Sequence, residues 1–251
     1  MKKSISEIQE NLSLSKLFGL IFIPTALLTI TYIIAGQLQK TIPSILLFFI
    51  LATVILMPIE LVVVLRASKK KYGSYSLKSA FENHKKMSWW KILIYGILFF
   101  GFAGLVTVTI APLEIMLTAP LADKLAHIMP AYFDWNNLDY LKQYSKNILL
   151  LTFVAYFLFN VIIGPIVEEL FFRGYLTSKI SRFGKWAPLM ITVLFSLYHF
   201  WLPFNNLFRI IIFLPVAYIA WKKKNIYISI VFHCLCNLFS TISFIVAVYA
   251  V

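Results

Sequence analysis

Long apolar runs joined by short basic loops constrain this chain more than any other feature. A helix needs about 20 apolar residues to cross a bilayer. Seven stretches approach or exceed that length, at roughly 17–36, 43–65, 90–117, 147–177, 187–203, 207–221 and 226–250. Inside hydrocarbon no water is available to backbone N–H and C=O groups, so each stretch must satisfy them internally, as a helix does. Composition agrees: 61% of residues are hydrophobic and 13% charged, against about half and about a quarter in a soluble domain. The expected fold is all-α, a polytopic transmembrane helix bundle with about 7–8 membrane helices, in a single membrane domain over 1–251. The first run lacks an A-x-A-like exit and more spans follow it, so it reads as a span and not as a cleavable signal peptide.

The net charge of +13 does not point to nucleic acid, because the basic residues sit in short loops and build no basic fold module. They report orientation instead. Lys2, Lys3 and Lys16 precede or open the first span. Arg66, Lys69, Lys70, Lys71, Lys78, Lys85, Lys86 and Lys91 follow the second. Lys179, Arg182 and Lys185 follow the fourth, and Lys222, Lys223 and Lys224 follow the sixth. With seven spans and a cytoplasmic N-terminus all of these share one side. The other side has Lys40, Lys124, Lys142, Lys146 and Arg209. The expectation is an integral protein of the cytoplasmic membrane, N-terminus in the cytoplasm and C-terminus outside. The usage of Lys, Ile, Asn and Phe suggests a low-GC bacterium. Cys234 and Cys236, both within a span, exclude a disulfide framework and read as small apolar residues. The segment 118–146 reads as a connecting loop, with an interfacial helix or lid as the alternative, and its Tyr132, Phe133, Trp135 and Tyr140 mark the membrane interface.

Within these spans a few polar residues stand out. Glu168 and Glu169 lie in the apolar run PIVEELFFRGYL. A carboxylate at membrane depth costs roughly 2.5–3.5 kcal/mol on insertion scales, so such groups mark function by default. Arg173 is four residues beyond Glu169, on the same helical face and within ion-pair reach. Glu168 points about 100° away and stays free. Phe195 and His199 share a face of the fifth span, and His233 and Asn237 share a face of the last. Carboxylate, two imidazoles and an amide suit hydrolysis. A glutamate can take the proton of an attacking water. One histidine can orient that water or protonate the leaving amine. The other, with the asparagine, can donate hydrogen bonds to an oxyanion. The same groups could hold zinc, through Glu168, His199 and His233, although no HExxH favours it. Gly164-Pro165, one turn before Glu168, interrupts the fourth span and either opens room for a substrate backbone or relieves helix crowding. Glu60 and Glu114 read as structural groups that snorkel to the interfaces, and His84 and His127 as loop residues.

The trio EExxxR, FxxxH and HxxxN, in this order on apolar spans, resembles the CPBP family of CAAX-protease and bacteriocin-processing intramembrane endopeptidases, also called Abi. The resemblance covers about 90–240. It implies a mainly eight-helix membrane domain with the motifs on its fourth, fifth and seventh spans. It further implies Glu168 as activating base, Glu169 as the partner of Arg173, His199 as an aid to the attacking water, and His233 with Asn237 as the oxyanion site. The expected activity is hydrolysis of a peptide bond in a membrane-associated peptide or protein, with the lipid bilayer as surroundings and no required cofactor. Zinc is the variant. The alternatives are a non-enzymatic bacteriocin immunity or scaffold protein of the same fold, and a proton-coupled transporter, which would more often show repeated halves. The topology predicts a cavity opening to the cytoplasmic leaflet.

Overall fold

The computed structural model describes residues 11–82, 84–133 and 138–250. Lys2, Lys3 and Trp135, used above to argue orientation and interface, lie outside the described residues. Among the described residues the fold is helical, without strands. Its helices are α1 Leu14–Ala35, α2 Ser44–Tyr72, α3 Trp89–Thr109, α4 Ala111–Ala126, α5 Lys146–Lys179, α6 Ala187–Leu197, α7 Asn206–Lys223 and α8 Tyr227–Ala250. Five of them, α1, α2, α3, α5 and α8, are long and apolar enough to cross a membrane. Their outward faces carry exposed apolar side chains such as Ile97, Leu105 and Val108, the surface a bilayer would cover. The protein is a helical integral membrane bundle.

Side-chain chemistry explains several helix ends. Ser13 and Ser145 accept the N–H groups of Lys16 and Ile148 at the starts of α1 and α5, as N-cap residues do. Gly73, at φ 77°, closes α2 in the left-handed conformation, which costs glycine little.

The expected third span divides at Ile110 into α3 and α4, where Pro112 has no N–H to continue the ladder. Glu114 on α4 does not snorkel. It is 5% exposed, and its two carboxylate oxygens accept the backbone N–H groups of Leu207 and Phe208 at 2.8 and 2.7 Å. It therefore caps the N-terminus of α7, where a negative charge also meets the helix dipole.

The expected fifth span, 187–203, is helical only over its first 11 residues. Helix α6 stops at Leu197, and residues 198–205 form an irregular connection with Pro203 and a left-handed Asn205, φ 66°. At 11 residues, α6 is about 16 Å long, so its end sits at mid-membrane depth. Non-helical backbone there is tolerated when it is buried or lines a cavity. This connection does line one, and it carries His199.

The aromatics of 118–146 pack against the bundle. Phe133 is buried. Tyr132 donates to Ile33 O at 2.8 Å and Ser44 Oγ donates to Tyr140 at 3.1 Å. Tyr144 donates to Gln39 O. The segment is thus pinned over the α1–α2 turn. At the lysine-rich end, Glu82 pairs with Lys71 and Lys179, tying the α2–α3 loop to the end of α5.

Candidate active site

Helix α5 positions the two glutamates, and it does so with a disturbed ladder. It is π-helical over Tyr156–Ile163 and again over Leu170–Leu176; π-turns inside α-helices are frequent at functional sites. Gly164 N–H reaches back five residues to Phe159 O. The next donor in that register would be Pro165, which has none, so Asn160 O is left over. The Asn237 amide fills the gap, with Nδ2 donating to Asn160 O at 2.8 Å. Asn160 in turn donates to Thr241 Oγ1 at 3.1 Å. Of the two roles offered for Gly164, close packing is visible: a Cβ there would come within 2.6 Å of Phe159 O.

Glu169 is 0% exposed. Its Oε1 lies 3.1 Å from Arg173 Nη1 and 3.0 Å from His233 Nδ1. The Arg173 nitrogens have no well-directed hydrogen-bond acceptor among the described residues, so this contact is Coulombic. The guanidinium lies 4.0 Å from the Phe195 ring centroid and 5.0 Å from that of Phe213, a cation–π setting worth more once desolvated.

Glu168 sits on the other side of His233. The Tyr198 hydroxyl donates to its Oε1 at 2.5 Å, and its Oε2 lies 3.7 Å from His233 Nε2, too far for a hydrogen bond. His233 therefore stands between the two carboxylates. His199 Nδ1 lies 2.8 Å from Phe195 O. A carbonyl only accepts, so the ring proton is assigned to Nδ1 and the Nε2 lone pair is free. Phe195, Tyr198 and Trp201 surround that ring with edge contacts.

Glu168, His199, His233 and Asn237 line one cavity of about 320 Å³. From Glu168 it runs past Phe48, Tyr156, Trp201 and Ser240, toward the lysine-poor end of the bundle. The sequence predicts the opposite direction. On the lysine-rich side the layer of Glu169, Arg173, Phe195 and Phe213 closes the way. A separate hollow of about 420 Å³ approaches that layer among Phe81, His84, Trp221 and Asn225, and ends on Arg173 and Gly174.

Three residues of this neighbourhood escape the sequence reading: Tyr198, Arg209 and Glu60. Arg209 lines the cavity, with Nη1 donating to Ser196 O at 3.0 Å. Glu60 is 2% exposed and lines the same cavity instead of snorkelling outward.

Zinc would need Glu168, His199 and His233 to converge on one point. Both histidines are held through Nδ1, by Phe195 O and Glu169 Oε1, which leaves only their Nε2 atoms as donors. Among the described residues no three or more His, Cys, Asp or Glu side chains are grouped to hold a metal ion. As placed, Glu168, His199 and His233 do not form such a group.

Fold and site together define a polytopic helical membrane protein with a carboxylate–imidazole cluster facing an internal cavity. A family model described as type II CAAX prenyl endopeptidase Rce1-like matches residues 150–239. Over that stretch the chain is similar to this family; the stretch holds all three motifs and is shorter than the 90–240 expected. No curated protein and no solved structure matches the chain.

Proposed function

We propose that the protein is an intramembrane endopeptidase that hydrolyses a peptide bond in a membrane-associated peptide or protein with a water activated by Glu168. The observation that carries this reading is the shared cavity, in which the Glu168 carboxylate and the His199 Nε2 lone pair both meet the space a water and a substrate would occupy. Glu168 takes one water proton, and His199 Nε2 accepts a hydrogen bond from the other. The water oxygen bonds to the substrate carbonyl carbon, and the carbonyl π pair moves to oxygen. The second amide hydrogen of Asn237 and, in the doubly protonated ring, His233 Nε2–H donate to that oxyanion. Collapse re-forms the carbonyl and breaks the C–N bond, and the amine leaves with the proton Glu168 had taken. Glu169 and Tyr198 orient His233 and Glu168. The lysine-rich end lies in the cytoplasm in this reading, supported by the Lys/Arg excess of its loops.

Reconstituted protein, incubated with a bacterial membrane-peptide fraction in H₂¹⁸O, should place one ¹⁸O in each new C-terminal carboxylate. The Glu168→Gln protein should place none. Labelled products at equal rates from both proteins would refute the assignment of the base.

A further inference from the structure

The cavity contains one acid for which the reaction has no use. Glu60, on α2, lies 12 residues before the helix end at Tyr72, and Glu168 lies 11 residues before the end of α5 at Lys179. At 1.5 Å per residue both sit about 17 Å from the lysine-rich end, at one level, and both line the cavity. A π-turn over Ala52–Leu56 immediately precedes this part of α2 and turns the following residues relative to a regular helix. The wall beside Glu60 is apolar: Ala52, Leu56 and Met57. Its Oε2 has no hydrogen-bond partner among the described residues. Glu169 is neutralised by Arg173 and Glu114 is held on the start of α7, so neither shares its position. The one cation lining the cavity among the described residues, Arg209, is on α7 and donates to Ser196 O. A buried carboxylate oxygen without a partner is costly, and a group that enters the cavity can supply one.

We propose that Glu60 forms a subsite for a cationic group of the substrate, a lysine or arginine side chain close to the scissile bond. The subsite rests on the proteolytic reading above. A cation seated beside Glu60 would pair with its carboxylate, which a neutral isostere of the same length could not do. The apolar wall next to Glu60 suits the methylene stem of such a side chain.

The test uses N-terminally acylated peptides scanned with lysine or norleucine, bound to full-length Glu168→Gln protein in detergent. At one position lysine should bind about tenfold or more tightly than norleucine. Adding Glu60→Gln should collapse that ratio, and Glu60→Asp, which keeps the charge, should restore part of it. Rescue by Asp separates a lost charge from a misfolded bundle. No lysine preference at any position, or a preference that survives Glu60→Gln, overturns the subsite. If the wild-type protein cleaves these peptides with no lysine preference, the subsite fails and proteolysis stands. If lysine preference is present and the wild-type protein cleaves nothing, the subsite stands and proteolysis fails.

Discussion

Tyr198→Phe should slow peptide cleavage by roughly 10- to 150-fold through kcat, with a nearly unchanged KM. The hydroxyl makes a 2.5 Å hydrogen bond to Glu168 Oε1. Hydrogen bonds to charged groups contribute about 1.5–3 kcal/mol, and each 1.36 kcal/mol of lost transition-state stabilisation costs about tenfold in rate. The substitution removes that bond alone. The ring is 0% exposed and packs on Phe172, Phe195 and Trp201 with centroids 4.9, 5.9 and 5.4 Å away, contacts that phenylalanine keeps. The backbone carbonyl of residue 198 still accepts from Thr25. Steady-state cleavage of a reconstituted substrate, with thermal melting as the fold control, gives both numbers. A kcat within about twofold of wild type would refute the view that Tyr198 holds Glu168 for catalysis. A raised KM at constant kcat would also refute it, because that pattern marks lost uniform binding.

Arg173→Met should lower stability by about 3–5 kcal/mol, since it strips a fully buried Glu169 of its guanidinium. A melting temperature unchanged in detergent would contradict the Coulombic account of that pair. Gly164→Ala should cost about 1–3 kcal/mol, because its Cβ would meet a backbone carbonyl at 2.6 Å; an unshifted melting curve would show that α5 can give way there.

The parts of this site that depend on spacing within one helix are legible in the sequence. Glu169 with Arg173 and His233 with Asn237 are i,i+4 pairs, and helical geometry alone puts each pair on one face. What depends on how helices meet is not legible. Nothing in the spacing brings His233 Nδ1 onto Glu169, or assigns the Asn237 amide to the carbonyl that Pro165 leaves free. Tyr198 was hidden as one aromatic residue in a chain with 17% aromatics, and the residue after it drew the attention. Glu60 was misplaced for a measurable reason. The apolar run ends near residue 65, but α2 continues through Lys69, Lys70 and Lys71 to Tyr72, so Glu60 lies about two turns deeper than hydropathy suggests. The fifth and sixth spans correspond to α6 and α7, but hydropathy does not mark where α6 stops. Helix α6 stops at Leu197, and His199 lies on the irregular backbone that leads to Pro203 and the left-handed Asn205.

The central claim is that Glu168 makes this protein a protease. The most direct test compares membrane-associated and secreted peptides from cells carrying the wild-type chain or Glu168→Gln at matched protein levels. The exchange is nearly isosteric and removes the base, which general-base catalysis prices at about a hundred- to ten-thousandfold. The account predicts a precursor that accumulates uncut only in the mutant, which would also name the substrate. Identical peptide profiles, with the cellular phenotype retained in the mutant, would contradict it and favour a scaffold or immunity protein built on the same fold.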